Sequence, residues 1–584
     1  MSYKYATIDI ESTGLNRYQE KITYIGVGLS KELGETLDKI TLYDFSNPED
    51  IEKFSNLCKK LRKHKVKTIF QNGNFDTLFI EYNWDILLPI SHDIMLMGTA
   101  FDLVAKHGLE AMAQRYLGVP DWDIDKKTKL GKGDMNKLKE YLGYDVKYTW
   151  ALFNFFMNEM NSQQKKIYKK LLKPAYLMYR RVEREGIYYD LEKDKEVKKA
   201  YKKHEKECLK KLTDQYDINW NSPDQVREVL FEKEGLPTIK LSPKGKPSTD
   251  AKVLKRLVSK GYELPQLILD YKFYRGANTK FLNKWADYAQ HDGRIHPHFN
   301  LTNVITGRTS CSDPNLQQVP RNKELRSLFT APKGRVLIEA DYSQLELRIA
   351  ADYANEPHMI KIYKEGGDIH TETAMTLNGG KEPSYDDRTK AKPVNFGFLY
   401  GMSAKGFTFY AFDNYSQVFT QKEAERYREL FFAKYSGLPE WHKEMEYICE
   451  LNGGVANRFG RFRALPKIFS NSSYERGEAV RRAINTPVQG TGSDLLISSC
   501  AEIDTKLRPD MDLRVVGTVH DSILADVPED CVEDAVREIK KIMEHPEIMD
   551  IFGVSFKVPL IADVSIGPWG KGKELEEWLA DRNS

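Results

Sequence analysis

Apolar and polar positions switch between a strand-like period of two and a helix-like period of about 3.6 over residues 1–160. The runs TYIGVGL and KTIFQNG predict strands, whereas LEAMAQRYLG and the run from DMNKLKEYLG to FFMNEM predict helices. Strands and helices that alternate in this way are typical of an α/β domain. We therefore expect one α/β domain over residues 1–160.

The remaining chain, residues 161–584, mixes long helical stretches with a few strand-like runs. Within its lysine-rich first part, Ser222 and Pro223 form a helix cap and first helical position. A strand pattern returns at RVLIEADYSQLELRIA, and LRVVGTVHDSILADV predicts two strands joined by a tight turn at His520–Asp521. This second part is therefore expected to belong to the α+β class.

Length and composition narrow the class of protein. A chain of 584 residues predicts roughly three to four domains at about 150 residues each. Hydrophobic residues make up 41% and charged residues 30%, which excludes a disordered chain, a collagen-like fibre and a small disulfide scaffold. No apolar run reaches the ~18 residues of a membrane helix, and no signal or transit peptide is recognisable, so we expect a cytoplasmic protein.

Cysteine spacing and charge distribution add two constraints. The 6 cysteines are scattered without a C-x-x-C pair, so we expect reduced thiols and no zinc site. The net charge of +3 says little, but residues 165–211 hold 17 Lys or Arg against 8 Asp or Glu. Such a local excess is typical of an arm that faces nucleic acid, and equally of a solvated helix face.

Acidic residues of the first domain form a pattern suited to metal binding. Asp9 and Glu11 lie two apart on a predicted strand, so both side chains point to one face. Asp76 follows the next strand, and Asp145 lies on a helix one turn after Tyr141. Four converging carboxylates would repel one another unless divalent cations neutralise them. Two such cations can hold an attacking hydroxide and a leaving oxygen, so the pattern predicts phosphodiester hydrolysis.

The order of these residues is more specific than any one of them, because Asp-x-Glu pairs also arise by chance among 85 acidic residues. The chain shows D-x-E at Asp9 and Glu11, then N-x-x-x-D ending at Asp76, then Y-x-x-x-D from Tyr141 to Asp145. This series resembles the three motifs of the DEDD-type 3′–5′ exonucleases, in the variant with a tyrosine. The resemblance implies an RNase H-like fold, metal binding by the four carboxylates, and a water-orienting role for Tyr141.

Two further aspartates lie at the ends of predicted strands. Asp341 ends the run VLIEA, and Asp521 lies in the turn of VVGTVHDSILADV. The His-Asp dipeptide occurs three times in the chain, but only His520–Asp521 lies between two long strand-like runs. Two carboxylates are a suitable ligand set for Mg²⁺ that also binds phosphate oxygens, so the pair predicts a triphosphate site.

Arg388, Lys392, Phe396 and Tyr400 are spaced by four residues between those two aspartates. On a helix they form one stripe, with cations at one end and aromatic rings at the other. Phosphates would suit the cations, and a base and sugar would suit the rings. The alternative is an amphipathic helix with core aromatics and solvated cations.

The series DYSQLELRIA, R-x3-K-x3-F-G-x2-Y-G and VHD resembles motifs A, B and C of the family A DNA polymerases, which include bacterial DNA polymerase I and phage enzymes. The likeness extends to TGRTSCSDPNLQQVP, DIHTETA, FGRFRALP and INTPVQGTGSDLL. It implies an α/β plus α+β multidomain chain, in which an RNase H-like exonuclease domain over residues 1–160 precedes a right-hand polymerase over residues 161–584. The resemblance places a thumb at about 180–290, fingers at about 355–485 and the palm in the remainder.

The resemblance also implies roles for residues of the polymerase part. Asp341 and Asp521 would hold two catalytic metals, assisted by the backbone carbonyl of Tyr342. Lys392 would act in catalysis, as Tyr141 would in the exonuclease site. Residues that contact the triphosphate, the sugar or the template base would be Arg388, Lys392, His370, Phe396, Tyr400, Gln344 and Glu346. Residues near the primer terminus and the minor groove would be Arg308, Gln489, His520, Arg481 and Asn485.

The implied reaction is attack of a primer 3′-hydroxyl on the α-phosphate of a dNTP, with release of pyrophosphate. Glu346 would exclude a ribose 2′-hydroxyl. The cofactor would be Mg²⁺, two ions in each site, with Mn²⁺ as a substitute. Primer–template DNA and dNTPs would be the partners, with no membrane, and a replisome helicase or single-strand-binding protein could join them. We expect a monomer that replicates phage DNA in the cytoplasm of a bacterial host.

One position departs from the family pattern, because Ser522 follows Asp521 where motif C carries a glutamate. Single-subunit RNA polymerases resemble His-Asp-Ser at this place, so such an enzyme is the first alternative. Glu346 and Phe396 argue against it, because the RNA enzymes lack that acidic gate. The second alternative is a nuclease or DNA-binding replication factor with an inactive polymerase site, and the intact polar residues of motifs A, B and C argue against that.

Overall fold

The computed structural model describes residues 2–583, and its amino-terminal part is built on a five-stranded sheet. The strands are β1 (Tyr5–Ser12), β2 (Ile22–Ser30), β3 (Lys39–Asp44), β4 (Lys67–Phe70) and β5 (His92–Asp93). They lie in the order β3-β2-β1-β4-β5, with β1 antiparallel to β2 and parallel to β4. Because β1 is central and largely buried, it gives the residues that it carries a fixed position.

Helices pack on this sheet and complete the α/β part that the sequence predicts. They are α1 (Pro48–Lys63), α2 (Gly73–Trp84), α3 (Ile94–Phe101), α4 (Leu109–Leu117), α5 (Lys126–Lys129) and α6 (Met135–Glu159). The cap of α6 is Asp134, whose carboxylate accepts the backbone N–H of Asn136 at 2.9 Å. Leu138, Leu142 and Val146 form the apolar face of α6 and pack with Tyr24 of β2. This packing holds α6 across the central strands.

A helical region follows, and several of its helices continue through a turn of π-helix. As the sequence predicts, Ser222 caps a helix whose first residue is Pro223. A small core around Trp220 and Leu254 lies apart from the main core. The elements are α7 (Ser162–Ile167), α8 (Lys173–Glu185), β6 (Ile187–Tyr189), α9 (Leu191–Thr213), α10 (Pro223–Arg227), α11 (Ala251–Ser259), α12 (Leu264–Gly276) and α13 (Asn283–Tyr288), with π-helical turns at Tyr168–Leu172, Glu228–Lys233 and Ala277–Leu282.

The next segment carries short strands and then a second group of helices. The strands are β7 (Arg294–Ile295), β8 (His298–Asn300), β9 (Ser310–Ser312), β10 (Phe329–Thr330), β11 (Arg335–Tyr342), β12 (Gly454–Ala456) and β13 (Phe462–Ala464). The helices are α14 (Lys323–Arg326), α15 (Leu345–Tyr353), α16 (Pro357–Lys364), α17 (Ile369–Leu377), α18 (Tyr385–Leu399), α19 (Ala404–Tyr415), α20 (Gln421–Lys434), α21 (Gly437–Asn452) and α22 (Ser473–Met511). Within residues 2–583, no helix is both long and apolar enough to cross a membrane.

A four-stranded antiparallel sheet forms the centre of the second part. It joins β11 to β14 (Arg514–Val519), β15 (Ser522–Pro528) and β16 (Ala562–Ile566), in the order β14-β15-β11-β16. The tight turn that the sequence predicts at His520–Asp521 connects β14 to β15. Helices α23 (Val532–Glu544), α24 (Glu547–Phe552) and α25 (Leu575–Asn583) complete the chain. Because β11 lies between β15 and β16, its last residues are enclosed by two neighbours.

The run RVLIEADYSQLELRIA, which the sequence predicts as a strand, contains a strand and a helix. The strand β11 ends at Tyr342, and helix α15 begins at Leu345. Gln344 adopts the left-handed backbone conformation with φ of 53°, which ends the extended backbone before the helix. The apolar residues after Gln344 are therefore buried by a helix and not by a continued strand.

Helix α8 connects the amino-terminal part with the second sheet through buried polar contacts. The hydroxyl of Tyr176 accepts the backbone N–H of Asn74 at 2.7 Å. The hydroxyls of Tyr179 and Thr518 lie 2.8 Å apart, so the same helix also reaches β14. Apolar residues on both sides of α8 belong to one continuous core. The two parts of the chain are therefore packed against each other.

Asp494 is a fully buried acid whose removal we expect to destabilise the protein. Its carboxylate accepts hydrogen bonds from the Asn457 amide and the Arg461 guanidinium, each at 2.6 Å. Asp494→Ala would leave the buried Arg461 charge without its partner, which costs about 3–5 kcal/mol in such pairs. Thermal unfolding should report this loss as a clearly lower Tm.

The control is Glu478→Ala, which removes the partner of the exposed Arg482 on the same helix. Exposed pairs of this kind contribute about 0.2–1 kcal/mol, so the Tm should hardly change. Equal Tm losses for the two variants would contradict the role assigned to Asp494.

Candidate active sites

Three carboxylates converge at the carboxyl end of β1. Asp9 and Glu11 share one face of the strand, as residues two apart must, and Asp145 approaches them from α6. The ligating oxygens of these three residues all lie within 4.8 Å of one another, so the group could hold a metal ion. The structure thus brings together three of the four acids that the sequence selects.

The fourth acid, Asp76, lies in the first turn of α2, next to this group. Its Oδ1 accepts the backbone N–H of Ile10 at 3.1 Å, and its side chain is buried. Asn72, which precedes α2, adopts the left-handed conformation with φ of 62°. The turn between β4 and α2 thereby directs Asp76 toward β1.

The carboxylates raise one another's pKa values. Burial, together with the charges of Asp145 and Asp76, raises the pKa of Glu11 to about 9. Burial also raises the pKa of Asp145 to about 7. The pKa values of Asp9 and Asp76 are raised as well, chiefly by burial and then by the neighbouring acids. Divalent cations would relieve this repulsion, so the donor set suits them.

Tyr141 lies one turn before Asp145 on α6, in a hydrogen-bonded group that the sequence does not reveal. Its hydroxyl donates to Glu110 at 2.9 Å and accepts from the Lys129 ammonium at 3.0 Å. The indole N–H of Trp122 donates to Asp145 at 2.7 Å. Trp122 lies in the DWDID segment, which the sequence predicts as a loop and which has no helix or strand. These neighbours orient Tyr141 and Asp145.

A second acidic site lies at the end of β11. Asp341 is opposite Ser522 of β15 on one side and Asp563 of β16 on the other. The backbone N–H of Tyr342 donates to the carbonyl of Asp521 at 3.5 Å, which places the β14–β15 turn beside Asp341. The structure therefore brings together Asp341 and Asp521, although 180 residues separate them in the chain.

The pKa of Asp341 is raised at this second site. Desolvation of Asp341 by the surrounding protein raises its pKa to about 7, and the charges of Asp521 and Glu339 add to this effect. Tyr342 directs its side chain into the core, where its hydroxyl donates to the carbonyl of Met543 at 2.7 Å. Only the backbone of Tyr342 can therefore serve the site. The hydroxyl of Ser522 is buried and donates to the carbonyl of Val519 at 2.9 Å.

Glu346, in the first turn of α15, is hydrogen-bonded to residues from two other segments. Its carboxylate accepts from Arg308 at 2.7 Å and from the Tyr400 hydroxyl at 2.6 Å. Arg308 also lies 3.7 Å from Asp521, and both line a cleft with His520. Burial raises the pKa of Glu346, which Tyr400 and Arg308 oppose. Glu346 is thus held in one place by partners from two sides.

Arg388, Lys392 and Phe396 lie on α18, as the sequence predicts, and Tyr400 is the residue that caps its carboxyl end. The helix continues through Pro393. The Arg388 guanidinium donates to Asp368 at 2.6 Å. Although burial opposes ionisation, Arg388 and a neighbouring threonine hold the pKa of Asp368 well below its usual range.

Asp368 also links Arg388 to His370 and Gln344, two other residues of the predicted nucleotide site. It caps α17, which carries His370, and it accepts from the Gln344 amide at 3.0 Å. The His370 ring lies 5.9 Å from the ring of Phe396. Asp368 is not among the residues predicted from the sequence, yet an aspartate just before a helical run is a recognisable cap signal.

The residues predicted to contact DNA lie on one helix and in one cleft. Arg481, Asn485 and Gln489 are spaced by four on α22 and therefore share one face of that helix. Arg308 and His520 lie in the cleft beside Asp521. His520 forms the β14–β15 turn with φ of 57°, and its side chain is exposed.

Two family models match this chain. The family model described as DNA polymerase family A matches residues 190–571, and the model described as 3′–5′ exonuclease matches residues 2–161. A DNA polymerase of Bacillus phage SP01 is 28% identical over 667 residues, which cover 96% of this chain and 71% of that relative. DNA polymerase I of Pseudomonas aeruginosa is 28% identical, with 96% of this chain and 62% of the relative covered.

A third relative matches a shorter part of this chain, and a solved structure is similar in fold. The thermostable DNA polymerase I of Thermus aquaticus is 34% identical over 374 residues, which cover 62% of this chain and 42% of that relative. The chain thus spans less than two thirds of the bacterial relatives. A solved structure of the POL domain of Pol1 from M. smegmatis, in complex with DNA primer-template and dNTP, has a TM-score of 0.78 at 22% identity, over 97% of this chain and 95% of that one.

These matches confirm the expected fold class, an exonuclease domain followed by a polymerase domain with mixed helices and sheets. They favour neither the RNA polymerase alternative nor the replication factor with an inactive polymerase site. The chain belongs to the family A DNA polymerases and carries a 3′–5′ exonuclease domain.

Proposed function

We propose that this chain extends a DNA primer along a DNA template at the site formed by β11 and the β14–β15 turn. The observation that carries the proposal is the placement of Asp341 beside Asp521. Asp368 links this place to the helices of His370 and Arg388, because it caps α17 and accepts from both Gln344 and Arg388. Two carboxylates and the backbone carbonyl of Tyr342 suit Mg²⁺ or Mn²⁺, which would activate the primer 3′-hydroxyl and neutralise charge on the phosphates.

Residues of α17 and α18 would bind the incoming dNTP. Arg388, Lys392 and His370 supply hydrogen-bond donors for a triphosphate, whose oxygens only accept. Phe396 would pack on the sugar, and Tyr400 would lie at the template-base position. Positioning of the 3′-hydroxyl against the α-phosphate and neutralisation of charge would then supply most of the catalysis.

The exonuclease domain would hydrolyse the primer from its 3′ end. Asp9, Glu11, Asp145 and Asp76 would hold two divalent cations, which would supply a nucleophilic hydroxide and stabilise the leaving oxygen. Tyr141 can orient the attacking water, because Glu110 and Lys129 fix its hydroxyl.

DNA would contact the cleft and the helix face beside it. Arg308, His520 and the α22 residues Arg481, Asn485 and Gln489 would reach the primer–template near its end, with minor-groove contacts that do not depend on sequence. The exposed lysines of α9 would contact phosphates and make binding sensitive to salt. The domain boundary between residues 160 and 161 remains a prediction, and so do the bounds of thumb, fingers and palm. A monomer that acts with replisome partners in the cytoplasm also remains a prediction.

The first experiment uses a 5′-labelled primer on a longer DNA template with Mg²⁺. We expect shortening without nucleotides and full extension with dNTPs. Asp9→Ala should lower the shortening rate about a thousandfold or more and leave extension intact, whereas Asp341→Ala should do the reverse, because each removes a carboxylate from one site only. Shortening in every lane without extension would contradict the polymerase proposal.

The second experiment replaces Glu346, which we propose excludes the ribose 2′-hydroxyl. Glu346→Ala should raise the rate of ribonucleotide incorporation relative to dNTP incorporation by tenfold or more, which corresponds to about 1.4 kcal/mol. Glu365→Ala is the control, because it removes an exposed carboxylate that pairs with Lys361 and contacts neither Arg308 nor Tyr400. Equal rNTP and dNTP use by the unchanged protein would refute the gate.

The third experiment follows the pKa values of the exonuclease acids. The folded-state pKa values of about 9 for Glu11 and about 7 for Asp145 lie above their ordinary values of 4.5 and 3.8. An acid whose pKa is raised in the folded state destabilises the fold when it ionises. Without metal, the Tm should therefore fall as the pH rises from about 5 to about 9. Mn²⁺ at a hundredfold excess over its Kd should raise the free energy of unfolding by about 2.7 kcal/mol and so reverse this fall in Tm. The effect should be stronger at pH 9 than at pH 6.

The control for that experiment is Asp145→Asn, which keeps an oxygen for the Trp122 indole but removes one charge. This variant should lose most of the Mn²⁺ effect and part of the pH dependence. If it responds to Mn²⁺ as strongly as the unchanged protein, the ion binds elsewhere and the assignment of the site is wrong.

A further inference from the structure

A chain of buried hydrogen bonds ends on His370. The Asn395 amide nitrogen lies 2.8 Å from Nδ1 of the His370 ring, and the Thr373 hydroxyl donates to the Asn395 carbonyl oxygen at 2.8 Å. The Tyr435 hydroxyl lies 2.9 Å from that of Thr373. The four side chains are at most 4% exposed, so water does not compete with these bonds.

The hydrogens of this chain run in one direction. Thr373 gives its single hydrogen to Asn395, so the Tyr435 hydroxyl must donate to Thr373. Asn395 then presents its N–H to His370, and Nδ1 of the ring must accept. A neutral histidine whose Nδ1 accepts carries its hydrogen on Nε2.

We propose that Asn395 is a positioning residue that holds His370 as the neutral ring with hydrogen on Nε2, so that this N–H donates to the triphosphate of the incoming nucleotide. The inference rests on the proposed function, because it concerns the same nucleotide site. Asn395 lies outside the stripe of Arg388, Lys392, Phe396 and Tyr400. No role is predicted for it from the sequence.

The chemistry of the ligand explains why the ring form matters. Phosphate oxygens accept hydrogen bonds and carry negative charge, so a bare ring nitrogen facing them would repel them. The charged groups that face His370 are Asp368, Arg388 and Lys392, and burial with the two cations keeps the ring neutral by lowering its pKa to about 4. A neutral ring can donate from Nε2 only if Nδ1 accepts, and Asn395 supplies that condition.

Kinetics of primer extension test the proposal through Asn395→Leu, which keeps the side-chain volume and removes the amide. We expect the KM for dNTPs to rise about tenfold with kcat changed less than twofold, because one hydrogen bond to a charged ligand is lost. In a His370→Ala background the same change should add nothing, because Asn395 acts through the ring. Additive effects would show a merely structural role and overturn the proposal.

Two controls keep the outcomes separate. Asn452→Leu removes an exposed amide that bonds only within its own helix, and it should leave the KM unchanged. Primer extension by the unchanged protein is required first, and its absence would refute the proposed function and not the ring assignment.

Nitrogen NMR of histidine-labelled, unchanged protein tests the ring directly, even if Asn395→Leu does not fold. His370→Gln identifies the signals by their loss. We expect the pattern of a neutral ring protonated at Nε2, at pH values from 6 to 8. A ring protonated at Nδ1 would overturn the proposal.

Discussion

Repulsion between converging carboxylates is the constraint on which both sites depend. Asp9, Glu11 and Asp145 crowd at one sheet, and Asp341 and Asp521 meet at the other. Such groupings oppose folding unless the fold over-determines them. Central strands supply that rigidity, because β1 and β11 are each paired on both sides. Divalent cations bound at these places would relieve the same repulsion.

The cations around these sites are held by acidic partners that are not themselves in the acid clusters. Arg388 pairs with Asp368, Arg308 pairs with Glu346, and Lys129 pairs with Glu110. An anionic ligand would meet donors that are already positioned, which reduces the cost of ordering them. The buried chain from Tyr435 to His370 extends this principle to a neutral donor. Positioning would thus depend partly on residues with no proposed substrate contact, such as Asp368 and Asn395.

The sequence predicts the acids of both sites because simple periodicity places them. The spacing of two between Asp9 and Glu11 works on a strand, and the spacing of four between Tyr141 and Asp145 works on a helix. Contacts between residues far apart in the chain depend on packing, which no local pattern encodes. The bond from Trp122 to Asp145 is one such contact.

Local rules also fail where one residue changes the backbone. The predicted strand around Asp341 stops because Gln344 adopts a left-handed conformation, and no propensity signal marks that residue. Asn395 escapes a search for stripes because it lies one residue before Phe396, on the face of α18 that packs against α17. The residues that hold the site are therefore harder to predict than the residues that form it.

The most direct test of the account is anomalous diffraction from crystals of this protein grown with primer–template DNA and Mn²⁺. We predict manganese bound by Asp341 and Asp521, and manganese bound by Asp9, Glu11 and Asp145, because these are the places where carboxylates converge. Ordered DNA with no manganese at Asp341 and Asp521, or manganese bound only at other acidic residues, would contradict it.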